Sequence, residues 1–326
     1  MPVSFQNLVR HMKERNWVGQ VLLLFRGMAM GAVDVVPGVS GGTIALITGI
    51  YEELILSIRS IHGGLIKTLF REGLAAAWKQ VNGNFLVTVV GGILISIFSL
   101  ARLLSWLFDH HAMLVWAFFF GLIAGSALFV GKKVERWYTS PLISLLAGTV
   151  LAWYITLATP STGPEYLWYV FLSGSIAFCA LILPGISGAF LLILLGKYEY
   201  MLQAVNELNL VVLFTFGIGG VAGVIAFSHV IGWLLKKHPN TTLALLTGFM
   251  IGSLNKLWPW KEVLETRISS AGDIVPLVEK NILPGEYAEI YGKDPMLGAV
   301  LLCMLAGFGI IAGFMRWSRK KMTEKT

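Results

Sequence analysis

The chain has 326 residues, 56% of them hydrophobic and 13% charged, with a mean hydropathy of +0.73. Ordinary soluble domains carry roughly 25% charged residues, so the composition excludes one and points to a polytopic membrane protein. The formal net charge of +7 then needs a topological explanation, not a nucleic-acid one. Cys179 and Cys303 sit inside apolar runs and offer no disulfide framework or metal-ligand spacing, and no cofactor or metal is expected.

In chain order, Arg10, Lys13 and Arg15 lead into an apolar run over 17–33 that lacks a small-residue cleavage site, so this segment is expected to remain in the mature protein. Further runs fall near 41–56, 85–107, 113–130, 142–158, 167–183, 185–196, 211–235, 242–258 and 296–316, ten elements in all. Between the second and third, Ile61–Gln80 places Ile61, Leu65, Ile66, Leu69, Phe70, Leu74, Ala77 and Trp78 on one helical face. This insert (60–80) reads as an interfacial amphipathic helix, with a soluble-side connector helix as the alternative.

The chain repeats itself. Pro37–Leu54 matches Pro184–Met201 at seven of 18 positions, an offset of 147, and Gly121–Ser126 matches Gly248–Ser253 at an offset of 127. Five elements per half is an odd number, so the second half starts on the opposite side of the bilayer. The expected architecture is an all-α polytopic membrane protein built from two inverted-topology repeats, 1–158 and 159–326. Each opens with a broken re-entrant hairpin followed by three transmembrane helices, and the second carries an outer loop at 259–295. Full crossing by all ten elements gives the same loop sidedness.

Charge tests the orientation independently. With the N-terminus in the cytoplasm, the inner segments hold 17 basic and four acidic residues, the outer ones four and ten, and the apolar elements four and four. The positive-inside rule accordingly puts both termini in the cytoplasm.

Both hairpins break at Pro-Gly-x-Ser-Gly, at Pro37 and at Pro184. A break at membrane depth frees backbone groups that lipid cannot satisfy, so it survives only when buried in protein or lining a wet cavity. After each break a helix starts, and its first N–H groups carry the positive end of the helix dipole. Two opposed half-helix N-termini would make an anion site from Gly38, Ser40, Gly41, Gly42 and Thr43 on one side and Gly185, Ser187 and Gly188 on the other. Arg26, deep in the first arm, would add a cation. The plainer reading is packing glycines and capping serines.

Among intramembrane acids, Asp34 reads either as the partner of Arg26 in an ion pair or as a proton-accepting or cation-coupling group. Glu52 and Glu199 occupy matching repeat positions and are further coupling candidates or interfacial residues. Arg102 and His229 also match and read as interfacial or packing residues. The G-x-S-G pattern around Ser40 and Ser187 is shared with intramembrane serine proteases, for which His229 would be the base, and a small-anion channel or exchanger would use the same helix dipoles.

The segment from Gly31 to Leu54, with the weaker Leu183–Gly188 echo, resembles the bacterial polyprenyl-phosphate transporter family over essentially the whole chain. The resemblance implies an inner-membrane translocase that returns undecaprenyl phosphate from the outer to the cytoplasmic leaflet for cell-wall and surface-glycan synthesis. It agrees with a midplane phosphate site worked by alternating access and coupled to protons or sodium. The substitution of Gly42 and Thr43 by Ala189 and Phe190 in the second copy leaves that half fewer polar contacts.

Overall fold

A computed structural model describes residues 15–34, 40–159, 163–268 and 274–323. Pro37 and Gly38 lie outside the described residues, so the first break is known from its two shoulders. The protein is mostly helical. Its first arm, α1 (Trp17–Asp34), is started by Asn16, whose Oδ1 accepts from the Gly19 N–H at 3.0 Å. The return arm is shorter than the apolar run suggests. α2 (Gly41–Thr48) stops at Gly49, which takes φ 76°, and α3 (Tyr51–Arg59) leaves at 113° to it. A left-handed glycine ends a helix because no Cβ opposes that geometry.

The amphipathic insert is two helices and not one. α4 (Gly63–Glu72) and α5 (Leu74–Gln80) are split at Gly73, φ 85°. Then comes α6 (Gly83–Gly131), a helical pair joined where His111 leaves helical geometry (φ −139°, ψ 34°), and α7 (Thr139–Leu157). The second hairpin repeats the first. α8 (Leu167–Ile182) descends to the break, α9 (Gly188–Leu194) returns, and α10 (Tyr198–Asn206) bends off by 104° after Gly196, φ 62°. Gly49 and Gly196 are a matched pair of the sequence repeat.

α11 (Leu210–Lys237) and α12 (Pro239–Ser253) follow. The 259–295 loop departs from an all-helical expectation: β1 (Lys261–Ile268) and β2 (Ile274–Asn281) pair antiparallel, and α13 (Pro284–Tyr291) precedes the last helix, α14 (Leu297–Thr323). Gly83–Leu100, His110–Gly131, α7 and α11 are each long and apolar enough to cross a membrane, α8 and Leu297–Gly313 are shorter apolar helices, and the two bent pairs add to them. Their outward apolar faces stay bare: Phe98 is 80% exposed and Leu302 69%. In water such surfaces would drive aggregation, and in lipid they are at no disadvantage, so this is a multi-pass membrane protein.

The arms of each hairpin begin and end together. Arg15 Nη1 donates to Glu53 Oε1 at 3.0 Å, and Asn82 Nδ2 reaches the same oxygen at 3.0 Å. At the other hairpin the Tyr169 hydroxyl donates to the Leu195 carbonyl at 3.2 Å.

Helix pairs meet through small residues. α1 packs on α6 at Gly27, where an added Cβ would lie 2.5 Å from the Val89 carbonyl oxygen, and α8 packs on α11 at Gly174, where it would lie 2.3 Å from that of Phe216. Gly27 and Gly174 are 147 apart, the offset of the Pro-Gly-x-Ser-Gly repeat. Close backbone approach at small residues is the usual basis of helix association in lipid, where hydrophobicity distinguishes nothing.

Candidate functional site

The first turn of α2, beside the first break, meets the tip of the second hairpin in the buried interior. Thr43, in the first turn of α2, accepts at Oγ1 from the backbone N–H of Gly185 at 3.2 Å. Ser40 Oγ accepts from the Gly42 N–H at 3.1 Å and lies 3.4 and 3.3 Å from the Ala180 and Leu181 carbonyls, to which it donates. Ser187 Oγ accepts from the Phe190 N–H at 3.5 Å. Ser40, Thr43 and Ser187 are each no more than 4% exposed, and Gly41, Gly42, Gly185 and Gly188 are buried with them. Glycine is required at Gly42, because an added Cβ would lie 2.5 Å from the Ile182 carbonyl oxygen of the opposing tip.

The first half-helix is not the open anion site that its sequence suggests. Asp34 Oδ1 accepts from the Gly41 N–H at 2.6 Å, which places the chain's own carboxylate at the positive end of α2. A helix N-terminus attracts whatever anion is near, and here the nearest is seven residues back across the break. Of the two readings of Asp34, the ion pair with Arg26 is not formed among the described residues. Arg26 is half-buried two turns before Asp34, about 12 Å along the helix axis; the charges that act on it are Arg15 and Glu53, and among the described residues it forms no ion pair.

The other candidates lie apart from the tips. Glu52 is exposed in the first turn of α3, where it acts electrostatically on Lys133, whose Nζ reaches the Leu46 carbonyl at 3.4 Å. Glu199 is half-buried in the first turn of α10. His229 Nδ1 lies 2.9 Å from the Ile225 carbonyl of its own helix, and neither capping serine has a histidine partner among the described residues. Nor do three or more His, Cys, Asp or Glu side chains gather to hold a metal ion among those residues.

A feature that sequence reasoning missed lies beside the second tip. Gly185, Ile186, Ser187 and Phe190 form one wall of a narrow cleft, with room for about one water molecule, closed by Thr156 of α7, by Ser253 at the end of α12 and by Lys256 just beyond it. Lys256 Nζ bonds Glu279 Oε2 at 3.0 Å, and Lys261 Nζ bonds the same oxygen at 3.2 Å. The only local signal was a lysine at the end of an apolar run; its acid lies 23 residues on, in the second strand of the loop.

Burial is the main cause that brings Lys261 down to about 8, with Glu279 opposing the fall and Lys256 adding to it. For Glu279 burial pushes upward, yet the two lysines prevail and hold the carboxyl below its ordinary value. In the unfolded chain Lys261 would keep its proton to 10.5, so between about 8 and 10.5 the folded chain binds fewer protons and stability from this group rises with pH. Melting of the wild-type protein relative to Lys261→Met should therefore climb between about pH 7.5 and 9.5; a difference that stays flat would refute the burial of a charged Lys261.

Residues 30–275 match the model of a family described as undecaprenyl phosphate translocase-like. The chain is 45% identical over 296 residues to a polyprenyl-phosphate transporter of Vibrio cholerae, covering 90% of this chain and 96% of the relative. It is 33% identical over 267 residues to a polyprenyl-phosphate transporter of Staphylococcus aureus, covering 76% and 88%. No solved structure matches the chain.

Proposed function

The chain belongs to the undecaprenyl phosphate translocase-like family, and on that premise we propose that it carries polyprenyl phosphate, undecaprenyl phosphate in particular, from the outer to the cytoplasmic leaflet of a bacterial inner membrane. It is a transporter, not an enzyme. The observation that carries this reading is the contact of the two hairpin tips, Thr43 against Gly185, at the middle of a lipid-facing helix bundle. A phosphate headgroup needs exactly what lipid lacks, a set of donors at membrane depth, and the tips are where backbone N–H groups and hydroxyls gather.

The two halves, 1–158 and 159–326, act as inverted repeats whose hairpins re-enter from opposite faces, with both termini cytoplasmic. Matched caps at Ser40 and Ser187, matched bends at Gly49 and Gly196 and matched packing at Gly27 and Gly174 support this. The insert serves as an interfacial helix pair, since Phe70 and Leu74 stand 84% and 73% exposed. In the cycle, one half rocks against the other, the tips part, and the phosphate takes donors from Gly38, Ser40, Gly41, Gly42, Thr43, Gly185, Ser187 and Gly188 while the prenyl tail stays in lipid. Arg26 receives the headgroup on the cytoplasmic side of the tips. Asp34 must then leave the α2 N-terminus, and a carboxylate displaced by a phosphate is relieved by taking up a proton, which couples the cycle to the proton gradient. Glu52 and Glu199 are the next candidates for coupling to protons or sodium.

Leaflet exchange of labelled undecaprenyl phosphate in proteoliposomes tests this. Arg26→Ala and Ser40→Ala should each slow exchange about tenfold or more, the loss of one hydrogen bond to a charged group. Unchanged exchange in both, or flux of inorganic phosphate in place of lipid, would overturn the site.

A further inference from the structure

Lys256 and Lys261 share a single carboxylate oxygen, Glu279 Oε2, at 3.0 and 3.2 Å. Two cations on one anion leave a local charge of +1, and the less buried cation is the one that faces the cleft: the Lys256 side chain is 22% exposed and that of Lys261 7%. Lys261 is further held by the Trp116 ring, 4.3 Å from its ammonium, whereas the Lys256 ammonium stands 5.3 Å from the ring of Phe190 at the second tip. Glu279 belongs to β2, which is anchored at its base, where Asn281 Nδ2 donates to the Asn255 carbonyl at 2.7 Å and Trp258 Nε1 to the Ile282 carbonyl at 2.8 Å.

We propose that this cleft, which widens from its one-water volume as the Lys256 side chain swings away from Glu279, is a docking site for the phosphate headgroup on the side opposite the chain termini, with Lys256 as its cation and Glu279 as the internal anion that the headgroup displaces. A phosphate monoester carries between one and two negative charges near neutral pH and so satisfies the surplus that one carboxylate cannot. Lys256 turns from Glu279 to the headgroup and Glu279 stays with Lys261; of the hydroxyls along the same walls, Ser253 and Thr156 already donate to the Met250 and Trp153 carbonyls, which leaves Ser187 as the one able to donate to the headgroup. Phe190, which replaces Thr43 in the second copy of the repeat, becomes the apolar floor under the ammonium. Glu279 makes the site selective: a weakly charged anion cannot compete with a carboxylate already in place.

This inference rests on the transport reading, and its test separates the two. Saturation of leaflet exchange is followed with undecaprenyl phosphate loaded into the leaflet on the loop side. Lys256→Gln should raise the half-saturating mole fraction about tenfold or more, since a charged hydrogen bond is lost, and Lys256→Arg should largely restore it. Glu279→Gln, which keeps shape and removes the competing charge, should lower it several-fold. If Lys256→Gln leaves half-saturation unchanged while Ser40→Ala slows exchange, the docking site is wrong and the transport reading stands. If wild-type protein exchanges no lipid, the transport reading itself falls. A Glu279→Gln variant weakened like Lys256→Gln would make Glu279 a structural partner only, and equal competition by inorganic phosphate would overturn the assignment to a lipid headgroup.

Discussion

Replacing Asp34 with Asn should erase the response of leaflet exchange to a proton gradient while leaving the protein folded. Asparagine keeps the shape and the acceptor oxygen that meets the Gly41 N–H at 2.6 Å, and it is as good a helix cap as aspartate, so the fold should be affected by no more than a few tenths of a kcal/mol. What it loses is the charge. In the proposed cycle the carboxylate competes with the substrate phosphate for the α2 N-terminus, and only protonation ends the competition. One coupled proton makes a gradient of one pH unit worth about 1.4 kcal/mol, up to about tenfold in the ratio of lipid between leaflets. Wild-type proteoliposomes should approach that ratio and Asp34→Asn should stay at unity. Asp34→Ala separates cap from charge differently: it removes both, and it should lower stability by about 1 kcal/mol. A full gradient response in Asp34→Asn would move the coupling to Glu52 or Glu199.

How far sequence reaches is visible at the same residues. The two breaks were legible because Pro-Gly-x-Ser-Gly occurs twice, and the serines prove to be caps, as a serine before a helix start predicts. That capping is also the plainer of the two readings of these motifs, and it holds together with the meeting of the tips. The Asp34 cap was not legible, because a hydrogen bond from seven residues back depends on how the chain turns at the break. The bends after Gly49 and Gly196 were within reach: both glycines belong to the seven identities, but the apolar runs continue past them and hide the change of direction. The same holds for Gly73, which splits an amphipathic pattern whose period carries straight through it. Lys256 illustrates the limit. Nothing in the local pattern ties it to Glu279 or to the second tip, since both contacts are made by tertiary placement of a β-hairpin and a helix end.

The other large effect should come from Gly121. The second span of α6 packs on α14 there so closely that an added Cβ would lie 1.9 Å from the Met304 carbonyl oxygen, and from the other helix a Cβ on Gly307 would lie 2.1 Å from that of Phe118. The opposing atoms are backbone, so no rotamer change can relieve the clash and the helices must separate. The corresponding position in the repeat, Gly248 on α12, meets the Leu145 carbonyl of α7 at 2.2 Å by the same measure. Each of these interfaces joins a helix of one half of the chain to a helix of the other. Gly121→Leu should therefore cost about 3 kcal/mol, at the upper end for overpacking, and lower the melting temperature by roughly 6–12 °C. Gly309 on α14 has nothing within 4 Å of a built Cβ, so Gly309→Leu, in the same helix and with the same added volume, is the control that should melt near wild type. Equal melting of the two variants would mean that the α6–α14 interface is not set by backbone contact. A selective loss in Gly121→Leu, repeated in Gly248→Leu, would mean that the two halves are held together by one glycine-mediated contact used twice, the rigid frame that the proposed parting of the hairpin tips requires.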